Sequence, residues 1–127
     1  MKVLVAEDDP GLRELVTEIL TVWGHTVHAV GDGEEAVRHL DKHASEIELV
    51  VTDFQMPRMN GIELTRHVKK VATGIKVIVM SGFSDLGILM EMVEASGADT
   101  FIRKPFLIDE LQAAIYVAFS KLVSIQQ

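Results

Sequence analysis

Short apolar runs rich in β-branched residues alternate with longer stretches of helical period along the whole chain. Lys2–Ala6 reads as a continuous apolar strand. Asp9-Pro10 then offers a helix N-cap acceptor followed by proline at the first helical position. Leu12, Leu15, Val16, Ile19, Leu20 and Trp23 follow at helical spacing and predict a helix, which Gly24 ends. His25–Val30 predicts a second strand, and Asp32 caps a second helix carrying Ala36, Val37 and Leu40.

The alternation continues to the end. Leu49–Thr52 predicts a third strand, followed by a Pro- and Gly-containing loop from Phe54 to Gly61 and a helix over Ile62–Val71. Lys76–Met80 predicts a fourth strand and Asp85–Ala95 a fourth helix. Thr100–Arg103 predicts a fifth strand, which Lys104-Pro105 breaks before a closing helix over Leu107–Val123. Near-continuous apolar strands between helices imply a parallel sheet covered on both faces. Right-handed crossovers then favour a three-layer α/β sandwich. No linker or composition shift divides the 127 residues, so one domain over 1–127 is expected.

Composition narrows the function classes. The chain has no cysteine, which excludes disulfides, thiolate metal sites and cysteine nucleophiles. A net charge of −7, with basic residues scattered, argues against a direct nucleic-acid surface. No apolar run approaches the ~20 residues that span a bilayer, so no membrane segment is expected and the location is read as cytoplasmic. His39 and His43 stand at i, i+4, a spacing that suits Zn²⁺, but without further ligands nearby they read as solvated helix histidines.

In a parallel sheet, residues just past the strand C-termini share one rim, and ligands bind there. Those residues are Glu7, Asp8 and Asp9 after the first strand and Asp53 after the third, with Ser81 after the fourth and Lys104 after the fifth. Each has an ordinary alternative: Asp9 a helix cap, Glu7 and Asp8 solvated acids, Asp53 and Ser81 turn residues, Lys104 a solvated end. Complementary chemistry at four of five equivalent strand ends is not what turn statistics produce. Clustered carboxylates resist joint ionisation unless a cation sits among them, and Mg²⁺ suits an oxygen set of this kind. Such an ion can clamp a phosphoryl group, and an aspartate can carry one covalently. Asp53 is therefore the candidate nucleophile, with Lys104 as fixed positive charge and Ser81 as hydroxyl donor.

At VLVAEDDP (3–10), VVTDFQMPRMNGIEL (50–64), VIVMSGF (77–83) and GADTFIRKPF (97–106) the chain resembles the receiver domains of two-component response regulators, the family of the chemotaxis switch protein. The resemblance implies a flavodoxin-like sandwich of five helices and a five-stranded parallel sheet in the order 2-1-3-4-5. It also implies a cis peptide at Lys104-Pro105. It assigns Asp53 as phosphoacceptor, Ser81 as switch hydroxyl, Lys104 as the active-site lysine and Phe101 as switch aromatic. Glu7, Asp8, Asp53 and the main-chain carbonyl of Gln55 become the Mg²⁺ site, and Asp9 is left as a cap. Glu at 7 and Ser at 81 are mild departures, and Phe101 lacks the hydroxyl of a tyrosine switch.

The implied function is a phosphorelay switch that takes its phosphoryl group from a histidine kinase or histidine phosphotransfer protein. It catalyses only its own phosphorylation and dephosphorylation and is not a turnover enzyme. Output is expected through the face of helix 4, strand 5 and helix 5, to an output domain, a protein partner or a homodimer mate. Leu86, Leu89, Met90 and Val93 form a stripe on the fourth helix, read chiefly as core, with Ile88 and Met92 off it. On the last helix Leu111, Ala114, Ile115, Ala118 and Leu122 form the expected core face, with Tyr116 and Val123 opposite. Phe83, two residues past Ser81 as Gln55 is two past Asp53, is expected to shield an acyl phosphate from water.

Three rivals were open on sequence. A flavin carrier of the same sheet order would want a Ser/Thr/Gly-rich phosphate loop where this chain has EDDP. An aspartyl-phosphate hydrolase would want a substrate-recognition cap, and a pseudo-receiver would bind without being phosphorylated.

Overall fold

The computed structural model describes residues 1–82 and 86–125, and their side chains except at 86, 88, 89 and 121–125. Expectations resting on Phe83, Leu86, Ile88, Leu89, Leu122 and Val123 lie outside the described side chains.

Five strand–helix units follow one another: β1 (Lys2–Ala6), α1 (Pro10–Val22), β2 (Thr26–Val30), α2 (Gly33–His43), β3 (Leu49–Asp53), α3 (Gly61–Val71), β4 (Lys76–Ser81), α4 (Leu86–Ser96), β5 (Thr100–Arg103) and α5 (Ile108–Ile125). All pairings are parallel and the strand order is β2-β1-β3-β4-β5. The chain thus forms the expected flavodoxin-like three-layer sandwich.

Two cores explain why the central strands read as unbroken apolar runs. Successive side chains of a strand point to opposite faces. Leu4, Val50, Val77 and Val79 therefore meet Ala36, Leu40, Leu64, Val68 and Val93 from α2, α3 and α4. Val3, Val5, Leu49, Val51, Ile78 and Met80 meet Val16, Leu20, Leu111, Ala114 and Ala118 from α1 and α5. β3 and β4 are buried at every position, whereas β2, at the sheet edge, is mostly open.

Several expectations shift. Asp53 and Ser81 are the last residues of their strands, one step inside the rim, because Asp53 still pairs with Met80 and Ser81 with Arg103. Met90 is 48% exposed, so it does not belong to the core stripe of its helix, and on α1 the apolar Leu15 is 49% exposed. Ile115 packs at the margin of the α5 core, and Tyr116 faces outward as expected. His43 keeps a side chain 45% open to solvent, whereas His39 is half-buried and stacks on His28 of β2 at 3.9 Å between ring centroids.

Candidate functional site: an acidic rim with one ammonium

The rim is built by the ends of β1, β3, β4 and β5. Asp9 caps α1 by accepting from Leu12 N–H at 2.9 Å, which turns the chain sharply after β1 and leaves Glu7 and Asp8 on the rim. Glu7 is tied down by its main chain, its N–H donating to Val30 O at 3.1 Å and its carbonyl accepting from Arg13 Nη1 at 3.0 Å. At β3, Phe54 N–H donates to Met80 O at 2.7 Å, and Gly61 N–H closes the following loop on Phe54 O at 2.8 Å. A Cβ on Gly61 would stand well inside contact distance of the Asp53 carbonyl, so only glycine lets α3 begin there. Lys104 N–H donates to Ser81 O at 2.8 Å, and the Lys104-Pro105 peptide is cis.

These anchors bring the predicted side chains together. One carboxylate oxygen from each of Glu7, Asp8 and Asp53 lies within 4.8 Å of the other two, the only such group of His, Cys, Asp or Glu among the described residues. Glu7 is fully buried, Asp53 is buried and Asp8 is exposed. Lys104 Nζ lies 2.7 Å from Glu7 Oε1 and 2.9 Å from Asp53 Oδ1. Asp9 N–H donates to the other Glu7 oxygen at 3.1 Å.

Burial pushes the Glu7 carboxyl up to about 7, with the charge of Asp53 adding to it, against hydrogen bonds from Lys104 and Asp9. Burial alone would lower the Lys104 ammonium. Its hydrogen bonds to Glu7 and Asp53 outweigh that and hold its pKa above the ordinary value.

Three acidic side chains against one ammonium leave the rim short of positive charge. The donor set is all oxygen, and exposed Asp8 keeps it open to water, which fits a hard divalent cation. Ser81 is buried at the end of β4, where its main chain joins Lys104, and Phe101 is half-buried against the α2–α4 core. Gln55 is exposed at the start of the β3–α3 loop.

Three features were not foreseen. Asp32, expected only as a helix cap, also takes a hydrogen bond from Arg58 on the β3–α3 loop. Arg13 holds the Glu7 carbonyl, and His28 joins the histidines of α2. No local signal announces an arginine meeting an aspartate 26 positions away.

The protein is thus a parallel α/β sandwich that gathers three carboxylates and a lysine at the C-terminal rim of its sheet. The family model of the response regulator receiver domain matches residues 3–116. Sporulation initiation phosphotransferase F of Bacillus subtilis is 32% identical over 114 residues, covering 90% of each chain. The DNA-binding response regulator MtrA of Mycolicibacterium smegmatis is 32% identical over 114 residues, but only 48% of its length is covered. The chain thus spans about half the length of such DNA-binding relatives. A receiver domain from Clostridium thermocellum superposes with a TM-score of 0.86 at 27% identity, covering 98% of both chains. The chain belongs to the response regulator receiver domains, the family that acts in two-component phosphorelay signalling. Among the described residues no helix is long and apolar enough to cross a membrane.

Proposed function

We propose that this chain is a phosphorylation-dependent switch whose phosphoryl acceptor is Asp53. The observation that carries the reading is the contact of Asp53 with Lys104 at 2.9 Å inside a cluster that also holds Glu7 and Asp8. A carboxylate oxygen of Asp53 attacks the phosphorus of a phosphohistidine. A P–O bond forms, the P–N bond breaks, and its electron pair leaves with the imidazole nitrogen, which takes a proton. Lys104 neutralises charge on the transferring group as that charge develops.

Glu7, Asp8, Asp53 and the main-chain carbonyl of Gln55 would hold Mg²⁺, with Asp8 a direct ligand and Glu7 acting through water. Bound there, the ion supplies charge neutralisation and orientation of the phosphoryl oxygens. The donor is a sensor histidine kinase or a histidine phosphotransfer protein. The chain catalyses only its own phosphorylation and dephosphorylation and is not a turnover enzyme.

The aspartyl phosphate carries close to two negative charges and draws the Ser81 hydroxyl toward it. Phe101 borders a cavity shared with Met90, Val93 and Val117, so the ring has room to repack as β4 adjusts. That shifts the population of the α4-β5-α5 face, where exposed Met90, Tyr116 and Val117 would meet an output domain, a protein partner or a second copy.

The test is incorporation of phosphate from acetyl phosphate with Mg²⁺ into wild type and Asp53→Ala. Labelling of wild type and none of the variant is expected. Undiminished labelling of Asp53→Ala would sink the assignment.

A further inference from the structure

The β3–α3 loop, residues 54–60, carries the main chain immediately past Asp53. Its base is fixed by the Phe54–Met80 and Gly61–Phe54 hydrogen bonds. Its exit is fixed by a reciprocal capping box, in which Glu63 N–H donates to Asn60 Oδ1 at 2.8 Å and Asn60 N–H to Glu63 Oε1 at 3.1 Å. The outer turn of the loop is held differently. Arg58 has a left-handed φ of 69°, and Met59 N–H donates to Pro57 O at 2.7 Å. A non-glycine residue at positive φ costs about 1 kcal/mol or more and persists where its surroundings hold it.

The N-terminus of α2 does the holding. Arg58 Nη2 bonds Asp32 Oδ2, and its Nε lies 3.8 Å from Glu34 Oε2. Gly33 sits so close beneath Met59 that a Cβ there would stand 2.6 Å from the Met59 Cβ and 2.7 Å from its carbonyl oxygen. Asp32 is a rigid seat: its side chain is only 6% exposed, and its second oxygen takes Glu35 N–H at 2.9 Å. The same β2–α2 corner borders the rim, because Val30 O accepts from Glu7 N–H.

We infer that Arg58 is a positioning residue for the cation site, its pairing with Asp32 clamping the β3–α3 loop onto α2 and thereby fixing the main chain at Gln55 against the carboxylates of Glu7, Asp8 and Asp53. This rests on the phosphoryl-switch reading above. It deepens that reading by assigning to two residues outside the acidic cluster the task of holding the site's third wall.

Charge and clamp predict opposite signs, which makes the inference testable. Removing a positive charge from the loop that follows Asp53 should, by Coulomb's law alone, leave cation binding unchanged or tighten it. Removing a clamp should loosen it. The experiment titrates ¹⁵N-labelled protein with Mg²⁺ and reads the dissociation constant from amide shifts in wild type, Arg58→Ala, Arg58→Lys, Asp32→Asn and the Arg58→Ala/Asp32→Asn double variant. Arg58→Ala should weaken Mg²⁺ binding about tenfold, the low end for partners that orient metal ligands. Arg58→Lys should keep most of the affinity, and the double variant should be no weaker than the weaker single one. Mg²⁺ binding by Arg58→Ala that equals or exceeds wild type overturns the clamp. If Arg58→Ala folds poorly, Arg58→Gln is read by the same criterion. Wild type showing no Mg²⁺ response would overturn the switch reading and the clamp with it. Wild type that binds Mg²⁺ and labels, beside an Arg58 variant that does both equally well, overturns the clamp alone.

Discussion

Lys104 and Glu7 stand 97 positions apart in the chain, yet Nζ lies 2.7 Å from Oε1 in the buried floor of the rim. The same ammonium reaches Asp53, so one side chain offsets two carboxylates that would otherwise repel. Glu7 is buried completely and depends on this partner.

Above pH 7, where the Glu7 carboxyl is ionised, Lys104→Met should therefore destabilise the metal-free protein by roughly 2 kcal/mol, below the full penalty for a broken buried pair because Lys104 is itself partly open to solvent. Mg²⁺ should recover more stability in the variant than in wild type, since the uncompensated carboxylates attract a cation more strongly. Urea unfolding with Mg²⁺ and with a chelator measures both. Equal Mg²⁺ responses in the two proteins would contradict the argument.

Glu7 gives the site a pH dependence of definite sign. Its carboxyl is raised by burial from 4.5 to about 7. Between those values the folded state holds a proton that the unfolded state has released, so metal-free stability rises as pH falls through about 7 toward 4.5. Mg²⁺ binding needs the ionised carboxylates and should tighten as pH rises through the same range. Glu7→Gln should flatten both profiles, measured by denaturant unfolding and by Mg²⁺ titration.

Gly61→Ala tests the close approach of α3 to the acceptor. The added Cβ meets the backbone of Asp53 and Phe54, which cannot rotate away. A loss of about 2–3 kcal/mol is expected, as for overpacking elsewhere. Phosphate uptake should fall as well, because the clash displaces the acceptor strand. A variant with wild-type stability and labelling would show that α3 shifts freely.

The histidines of the β2 edge predict acid sensitivity of the opposite slope. His39 stacks on His28 and lies 4.6 Å from His43 between ring centroids. Burial, then the charges of His28 and His43, lower its pKa from 6.5, with Glu46 pulling the other way. The unfolded chain binds the proton first, so this contribution is present above 6.5 and is lost as pH falls through the depressed value. His39→Gln should stabilise the protein at acid pH relative to wild type. An unchanged difference across the range would count against the cluster.

The legibility of this chain follows the range of the forces involved. Asp9-Pro10 and Asp32 mark helix starts through bonds spanning three residues, so they could be read directly, whereas the Asn60 cap of α3 was taken as part of the loop before Ile62. The unbroken apolar runs of β3 and β4 announced a sheet covered on both faces. Boundaries slipped at Asp53 and Ser81 because a strand's last residue is decided by its neighbour's hydrogen bonds. Met90 lies open although its stripe reads chiefly as core, because helical period marks an apolar face but not how far the packing partner extends.

The sequence by itself determined the alternation of strands and helices, the residue types at the strand ends, and through them the family and its candidate chemistry. Those are local properties of spacing and composition. Tertiary structure alone decided that Lys104 is shared between Glu7 and Asp53, and that Arg58 is seated on Asp32. It also decided that His28 completes a stack with His39. Each joins residues far apart in the chain, and such contacts exist only once sheet order and helix packing have placed the backbone. Asp53 illustrates both parts: its identity was legible, but its electrostatic surroundings were made by the fold.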